Sequence, residues 1–371
     1  MRGVSRGVER MKVASVVGAR PQFVKAACLS KALRAAGEEI LIHTGQHYDH
    51  AMSDVFFQQL GIPEPEYQLS AGSDTHARQT ARMLADIEAV LLKEKPDMVL
   101  VYGDTNSTVA ASLAAAKLGI PIAHVEAGLR SFNRQMPEEI NRVVTDHLSS
   151  LLFCPTDEAV AHLVREGIRD HVYQVGDIMY DGVLAFRSAA LAESAMPGKL
   201  GLQPGQYVLA TIHRAENTDS PGRLAAILGA VARLGRTVVM PLHPRTAGYV
   251  KKWGLERLLN APNIKQCSPL PYLDMLCLLH HAEAVLTDSG GLQKEAYMLQ
   301  VPCVTLRSET EWGGTVAAGW NRLAPPDSED AIVAAYQAIE APHESPPIFG
   351  DGHTAEAIVR HIVHFLGRTS Q

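Results

Sequence analysis

The sequence is poor in cysteine and has no long apolar run, and both shortages narrow the class of protein. Five cysteines are scattered through 371 residues, with no CxxC pair. An odd number of widely spaced cysteines is typical of free thiols in a reducing compartment, which excludes a disulfide framework and a cysteine-based zinc site. No apolar run reaches the roughly 20 residues that a membrane-spanning helix requires. We therefore expect a cytoplasmic protein.

The sequence also has no excess of positive charge. Lysine and arginine total 34 and aspartate and glutamate total 40, so the net charge is −6. No global basic field is available to attract nucleic acid. The first ten residues hold three arginines but no apolar core, so they do not form a secretory signal. We predict that residues 1–10 are a disordered extension or an upstream start, and that the fold begins at Met11.

Several cofactor motifs are missing. No GxGxxG follows the first predicted strand, and no GxxxxGK[ST] phosphate loop occurs. The sequence therefore lacks the motifs that usually indicate a nicotinamide-dependent enzyme or an ATP hydrolase. The 16 histidines form neither an HExxH motif nor a cluster with cysteine, so their spacing does not indicate a metal site.

What the sequence does contain is a regular alternation of apolar strands and amphipathic helices. A length of 371 residues with 46% hydrophobic content suits two domains with good cores. The order strand, polar turn, helix and Pro-marked strand occurs over residues 99–122 and again over residues 284–304. This internal similarity predicts an α/β protein with two doubly wound parallel sheets facing each other and ligands bound in a cleft between them.

Composition also suggests where the domains divide. The segment from about Ala185 to Gly205 is polar and rich in small residues, which is typical of a linker. The predicted domains are residues 11–184, residues 185–352 and a C-terminal helical segment at residues 353–371.

The stretch from His124 to Asp146 carries the strongest indication of chemistry. Glu126 follows a predicted strand, and Asp104 ends the neighbouring one, so both acids are expected where open α/β sheets bind ligands. Pro137 opens a helix whose first turn contains Glu138, and the helix dipole favours its ionised form. Because Glu138, Arg142 and Asp146 recur every four residues, they share one helix face. The plainer interpretation, a salt-bridged surface stripe, is preferred for Glu139 and Asp146.

Two further turns are candidate anion sites. Asp288-Ser289-Gly290-Gly291 begins a helix, and its two glycines allow the backbone to approach a diphosphate. Arg20 and Lys25 bracket another helix start and are consistent with either a phosphate site or an ordinary turn with surface charges.

The motifs as an ordered set resemble the non-hydrolysing UDP-N-acetylglucosamine 2-epimerases. The set consists of Gly18-Ala19-Arg20-Pro21, Thr44-Gly45-Gln46-His47, Gly103-Asp104-Thr105, His124-Val125-Glu126-Ala127-Gly128-Leu129-Arg130, Pro137-Glu138-Glu139, Asn141-Arg142, Thr211-Ile212-His213-Arg214 and Thr287-Asp288-Ser289-Gly290-Gly291. The resemblance spans nearly the whole chain from Met11. It implies a GT-B fold of two Rossmann-like domains, a C-terminal helix that crosses back to the first domain, a homodimer, and no metal or redox cofactor.

The resemblance also implies roles for individual residues. The family eliminates UDP to give a 2-acetamidoglucal and adds UDP back on the other face, which requires acid and base groups near carbon 2 and stabilisation of the departing UDP. The implied catalytic residues are Asp104, Glu126, Glu138 and His213. The implied UDP-sugar contacts are Arg20, Lys25, Arg142, Leu270, Tyr272, Ser289, Gly290, Gly291, Glu295 and Arg307.

A second UDP-sugar pocket, used for allosteric activation, is also implied. Its residues here are Gln46, Asp49, Arg78 and His243. Asp49 departs from the longer acid or amide that the family usually has, so we expect weakened activation. A second departure is Glu311-Trp312, where the family usually has Glu-Arg. The tryptophan form resembles a branch that includes epimerases of diacetamido uronic acids.

Other functions remain open on the sequence alone. They are a hydrolysing 2-epimerase that releases UDP, a GT-B glycosyltransferase, and a non-catalytic nucleotide-sugar sensor. The substituents at sugar carbons 3 and 6 also stay open.

Overall fold

The computed structural model describes residues 10–46, 57 and 59–369, which divide into two compact units. Unit 1 contains the described residues up to Gly182 together with those from Phe349 onward. Unit 2 is Val183–Ile348. The prediction for the N-terminal extension falls, except for Arg10, outside the described residues, and so does Asp49.

Unit 1 is built on a parallel sheet of seven strands within the described residues, in the order β3-β2-β1-β4-β5-β6-β7. The strands are β1 (Lys12–Val17), β2 (Glu38–His43), β3 (Tyr67–Gln68), β4 (Met98–Tyr102), β5 (Ile122–Val125), β6 (Leu151–Cys154) and β7 (Val172–Gln174). All five residues of β4 are buried, which is typical of a parallel strand covered on both faces.

Helices connect these strands and complete the unit. They are α1 (Arg20–Ala36), α2 (His76–Glu94), α3 (Asn106–Lys117), α4 (Pro137–Leu148), α5 (Asp157–Arg165), α6 (Ile178–Glu193), which continues into unit 2, and the C-terminal helix α16 (Thr354–Thr369). The C-terminal helix packs against α1. Asp181, a residue of α6, caps the N-terminus of α16. Its carboxylate accepts from the backbone N–H groups of Thr354 at 3.1 Å and Ala355 at 2.8 Å.

Unit 2 has a parallel sheet of six strands in the order β10-β9-β8-β11-β12-β13. The strands are β8 (Tyr207–Thr211), β9 (Thr237–Pro241), β10 (Ile264–Cys267), β11 (Ala284–Thr287), β12 (Cys303–Thr305) and β13 (Asn321–Leu323). Its remaining helices are α7 (Met196–Lys199), α8 (Ala215–Thr218), α9 (Pro221–Arg233), α10 (Pro244–Trp253), α11 (Glu256–Leu259), α12 (Tyr272–His280), α13 (Gly290–Met298), α14 (Gly313–Ala317) and α15 (Glu329–Gln337).

The two predicted parallel sheets are confirmed, and so is the repeated strand–helix–strand order, seen in β4-α3-β5 and β11-α13-β12. The predicted linker segment contains the end of α6, which runs to Glu193, and α7, which follows it. Its alanines and leucine favour helix despite the polar composition. In the part of the chain that the structure describes, no helix combines the length and the apolar character needed to cross a membrane.

Each sheet reverses its strand order once, and these points locate the candidate site. The reversal lies between β1 and β4 in unit 1 and between β8 and β11 in unit 2. Ligands in open α/β sheets bind beyond the carboxyl ends of the strands at such a point.

Candidate active site

Gln22 joins the two turns at the reversal point of unit 1. Its Oε1 accepts from the backbone N–H groups of Gly18 at 2.8 Å and Ala19 at 3.0 Å. Its Nε2 donates to the carbonyl of Tyr102 at 2.8 Å and lies 3.0 Å from the Thr105 hydroxyl. The turn after β1 is therefore held against the turn after β4, which carries Asp104.

Gly18 allows this close approach because it has no side chain. A Cβ atom at Gly18 would lie 2.1 Å from both the Ser107 and the Thr44 hydroxyl oxygens. Those hydroxyls are 2.8 Å apart, and Gln46 Oε1 accepts from the Ser107 hydroxyl at 2.6 Å. Gln46, predicted for the activator pocket, is thus buried and supports the start of α3.

Glu126 and Lys25 form a nearly buried ion pair at the end of β5. The ammonium of Lys25 donates to Glu126 Oε2, and the side chains of Lys25 and Glu126 are 7% and 11% exposed, respectively. Glu126 has φ of +73°, a left-handed conformation that costs about 1–3 kcal/mol for a residue other than glycine. A strained carboxylate paired with a cation is a feature of functional sites.

Asp104 is paired with Arg142 across the same edge of the sheet. The guanidinium of Arg142 donates to Asp104 Oδ2 and, at 3.2 Å, to Glu139 Oε2. Asn141 donates to the Asp104 carbonyl at 2.9 Å. Glu138 lies in the first turn of α4 and is half-buried. The structure therefore brings Asp104, the face of α4 and the turn after β5 into one polar edge.

The surface interpretation of Glu139 and Asp146 is wrong. Glu139 is 3% exposed and accepts from the backbone N–H groups of Ser131 at 2.9 Å and Phe132 at 3.0 Å. Asp146 is 1% exposed. Helical spacing shows which residues share a face, but not that the loop preceding α4 folds over that face.

A layer of buried charges lies beneath the acids, and the sequence analysis did not assign it. His124 Nδ1 lies 2.7 Å from Asp146 Oδ1, and Arg130 donates to Asp146 Oδ2 at 2.7 Å. Burial by itself would raise the pKa of Asp146, but the charges and hydrogen bonds of His124 and Arg130 lower that pKa below its ordinary value. The quoted motif contains His124 and Arg130, but only the tertiary structure gives them this shared partner.

Asp288 organises the corresponding edge of unit 2. This fully buried carboxylate accepts from the backbone N–H groups of His213 at 3.1 Å and Arg214 at 3.0 Å, and from Asn217 Nδ2 at 3.0 Å. The turn after β8 is therefore fixed to the turn after β11, where α13 begins at Gly290.

His213 lies beside this carboxylate with its side chain 40% exposed. Its Nδ1 is 3.6 Å from Asp288 Oδ1, and its ring centre is 5.8 Å from that of His243. Partial burial lowers the pKa of His213 from its ordinary value, Arg214 adds to that effect, and Asp288 opposes it. A neutral imidazole is thereby favoured near neutral pH.

Three side chains converge on the N-terminus of α13. A Cβ atom at Gly290 would lie 3.5 Å from Trp312 Nε1, 3.8 Å from Arg214 Nη2 and 4.0 Å from Glu311 Oε2. Burial would raise the pKa of Glu311, but Arg307, which donates to it at 3.0 Å, and Arg214 lower it. Arg214 was not among the predicted site residues, although it adjoins His213 in the quoted motif.

The other predicted residues of unit 2 lie on nearby elements. Ser289 precedes α13, Gly291 and Glu295 lie within it, and Gly291 is exposed. Tyr272 is buried and contacts Phe186 edge to face, with ring centres 6.1 Å apart. Leu270 packs against the apolar core of the unit.

Two predicted residues are placed on the surface. Arg78 is exposed on α2, and His243 is exposed at the start of α10. Arg20 is the first residue of α1, and its side chain is not among those described. Within the described residues, the histidine, cysteine and carboxylate side chains form no group of three placed to hold a metal ion.

Comparison with known proteins agrees with this geometry. A family model described as UDP-N-acetylglucosamine 2-epimerase matches residues 31–363. The chain belongs to this family. The predicted class of activity, epimerisation of a UDP-sugar, and the predicted α/β fold of two Rossmann-like sheets are thereby confirmed.

Relatives of the epimerase family differ in the substrate that their names give. The chain is 50% identical over 351 residues to a UDP-N-acetylglucosamine 2-epimerase homolog of Methanococcus maripaludis, covering 94% of this chain and 98% of that protein. It is 46% identical over 361 residues to the UDP-2,3-diacetamido-2,3-dideoxy-D-glucuronate 2-epimerase of Pseudomonas aeruginosa, covering 95% and 99%.

A solved structure of the same family superposes closely. The UDP-GlcNAc 2-epimerase of Methanocaldococcus jannaschii, crystallised with UDP-GlcNAc and UDP, has a TM-score of 0.90 and 41% identity. The match covers 95% of the present chain and 100% of the M. jannaschii chain.

Proposed function

We propose that the protein interconverts UDP-N-acetylglucosamine, or a close derivative, and its carbon-2 epimer without hydrolysis, by elimination and re-addition of UDP. The observation that carries this proposal is the pairing of Glu126 with Lys25 beside the Gly103 and Asp104 turn, at the reversal point of the unit 1 sheet. Epimerisation requires a proton to leave carbon 2 on one face and another to return on the opposite face. That chemistry requires more than one acid–base group.

Glu126 and Asp104 are the two acids that we assign first to this proton transfer. Lys25 forms an ion pair with Glu126, and Arg142 forms one with Asp104, so each carboxylate is held in place by a cation. Glu138, half-buried in the first turn of α4, is the third candidate. We assign proton transfer at carbon 2 to this group of acids.

Unit 2 supplies the groups that suit a nucleoside diphosphate. The backbone N–H groups at the start of α13 and the half-exposed His213 are suited to the diphosphate. His213, held mainly neutral, can donate a hydrogen bond to the departing UDP without a permanent charge. Glu295 is assigned to the ribose, and Leu270 and Tyr272 to the uracil. Arg20 and Arg307 are kept as further contacts to the UDP-sugar.

A time course in heavy water tests the reaction. We expect deuterium at carbon 2 of the epimerised sugar, with UDP still attached at equilibrium. Glu126→Gln keeps the side-chain size but removes basicity, so kcat should fall by about 100-fold or more while KM changes little. No deuterium after full equilibration would refute the mechanism, and stoichiometric free sugar plus UDP would indicate the hydrolysing reaction.

The substituents at carbons 3 and 6 are left open by the family. The names of its members give sugars that differ at these positions. We assign a contact to these substituents to Trp312, whose Nε1 would lie 3.5 Å from a Cβ atom at Gly290. Initial rates with UDP-N-acetylglucosamine and with a 2,3-diacetamido uronate analogue, measured side by side, would identify the preferred class.

We also propose a homodimer, and weak activation by a second molecule of UDP-sugar through Gln46, Asp49, Arg78 and His243. Sedimentation equilibrium would give twice the chain mass for a dimer. The reverse reaction should start with a lag that trace UDP-N-acetylglucosamine removes. A reverse reaction without a lag and without stimulation would exclude the activating pocket.

A further inference from the structure

We propose that the buried pair of His124 and Asp146 positions the candidate acids, and that His124 does so as an imidazolium donating hydrogen bonds from both ring nitrogens. The inference rests on the proposed function for the identity of the acids. Its statement about His124 is independent of that function. His124 is a positioning residue here, because it has no exposed surface and acts through its neighbours.

The hydrogen-bond partners of the two ring nitrogens of His124 indicate where the ring carries its protons. His124 Nε2 lies 2.8 Å from the Gly103 carbonyl oxygen, which can only accept, so Nε2 must bear a proton. Nδ1 lies 2.7 Å from Asp146 Oδ1. An ionised carboxylate also can only accept, so a proton on Nδ1 completes both hydrogen bonds.

The charges around Asp146 show that it is the carboxylate that is ionised. Its Oδ2 accepts from Arg130 at 2.7 Å and from the Gly128 backbone N–H at 3.1 Å. Arg130 is always a cation, and it also forms two hydrogen bonds of 2.7 Å to Glu166. With His124 protonated, the four groups His124, Asp146, Arg130 and Glu166 sum to zero charge, whereas a neutral ring would leave a net charge of −1 on a cluster in which only Glu166 is partly exposed.

Other titratable groups surround this cluster. His147 is 49% exposed and its Nδ1 lies 4.0 Å from Glu166 Oε2, so it faces the partly exposed end of the cluster. Cys154 lies on the adjacent strand β6, and burial and the charge of Asp146 raise the pKa of its thiol, so it stays neutral. On the far side of Gly103, Lys25 and Glu126 compensate each other as an ion pair.

The same contacts connect the pair to each candidate acid. The Gly103 carbonyl belongs to the peptide bond that leads into Asp104, so His124 orients that turn. A Cβ atom at Gly103 would lie 3.1 Å from Glu126 Oε2, which shows how closely the turn approaches the second acid. Glu126 itself lies between His124 and Gly128, both held by Asp146.

The helix α4 completes the connection. Asp146 lies on α4, the helix that also carries Glu138 and the Arg142 partner of Asp104. One buried ion pair thus connects the end of β4, the turn after β5 and α4. A displacement of about 1 Å in such a support can cost about 100-fold in rate.

Nitrogen-15 NMR of the full-length protein labelled at histidine tests the protonation state directly. We expect both ring nitrogens of His124, assigned by their loss in His124→Gln, to show imidazolium shifts and slowly exchanging protons at neutral pH, because both face hydrogen-bond acceptors. An unprotonated ring nitrogen at neutral pH would overturn the proposal.

Two variants separate positioning from folding. Glutamine places its amide near the Nε2 position and can still donate to Gly103, whereas asparagine reaches only toward Asp146. We expect His124→Asn to lower kcat about 100-fold and His124→Gln about 10-fold or less, with KM within about twofold in both. The control is His171→Gln, at an exposed histidine of unit 1. Its kcat should change less than about twofold.

The outcomes distinguish this inference from the proposed function. Equal losses in both variants, tracking their melting temperatures, would reduce His124 to a purely structural residue and overturn the inference. If the wild-type protein turns over no UDP-sugar, the proposed function fails, and the NMR result still decides whether the ring is an imidazolium.

Discussion

Gly18 shows how a missing side chain maintains the site at the scale of one residue. We expect Gly18→Ala to destabilise the protein by about 1–3 kcal/mol, because the added methyl would overlap the buried hydroxyls of Ser107 and Thr44. The turn after β1 would also be displaced, so kcat should fall. Urea unfolding and steady-state kinetics measure the two effects.

The control for Gly18 is Gly222→Ala. Gly222 lies in the first turn of α9, and a methyl group added there would meet no neighbouring atom within 4 Å, so alanine should leave stability equal or up to about 1 kcal/mol higher. Equal destabilisation by both substitutions would show that close packing at Gly18 is unimportant.

Asp288 is the corresponding residue in unit 2. Asp288→Asn keeps the shape but presents an N–H₂ group to N–H donors, so we expect a loss of about 1–3 kcal/mol and weaker UDP binding. Denaturation and calorimetry with UDP measure these effects. Asp327→Asn makes the same change at a 69% exposed carboxylate and should stay within about 0.5 kcal/mol. Unchanged UDP affinity in Asp288→Asn would refute the role of Asp288 in ordering the diphosphate turn.

At the scale of an element, the C-terminal helix α16 is expected to respond to pH. The His361 ring stacks on Tyr173 with centres 3.8 Å apart. Burial, with help from Arg360 and His364, lowers the pKa of His361 below its ordinary value. A pKa lower in the folded than in the unfolded state means that the stabilisation is present above the unfolded pKa and is lost as pH falls below it.

Substitution of His361 tests this pH dependence. We expect His361→Phe, which keeps the stacking, to reduce the loss of melting temperature between pH 8 and pH 6. Hydrogen exchange at Ile358 and Ile362 would show whether the effect lies in α16. The control is His353→Gln, at a 69% exposed histidine. If His361→Phe and the wild type lose the same amount, protonation of His361 does not loosen the helix.

At the scale of the whole molecule, UDP should stabilise unit 2 most strongly. A ligand at 100 times its dissociation constant adds about 2.7 kcal/mol to the unfolding free energy of the part that binds it. We therefore expect the largest gain in hydrogen-exchange protection in the peptides that cover the turns after β8 and β11. Protection confined to peptides of unit 1 would contradict the assignment of the diphosphate to His213 and the α13 turn.

The sequence by itself determined the class of the molecule. Buried parallel strands appear in the sequence as short apolar runs, and the polar and glycine residues of the turns mark where they end. The two sheets, and the positions of Asp104, Glu126 and Asp288 just after strands, therefore follow from the local sequence pattern. The ordered motifs predicted the family, which the comparisons confirmed. These features depend on neighbours within a few residues or on an ordered set of short motifs.

Only the tertiary structure decided which charges meet. From its helix start, Lys25 is consistent with either a phosphate-binding cation or a surface charge, but its ammonium contacts Glu126, 101 residues away in the sequence. Asp146 reads as a surface residue, but the loop carrying Arg130 folds over it. The polarity of a helix face depends on what packs against it, and long-range packing leaves no periodic signal in the residues themselves. The pairing of buried charges therefore follows from the folded arrangement of strands rather than from any single stretch.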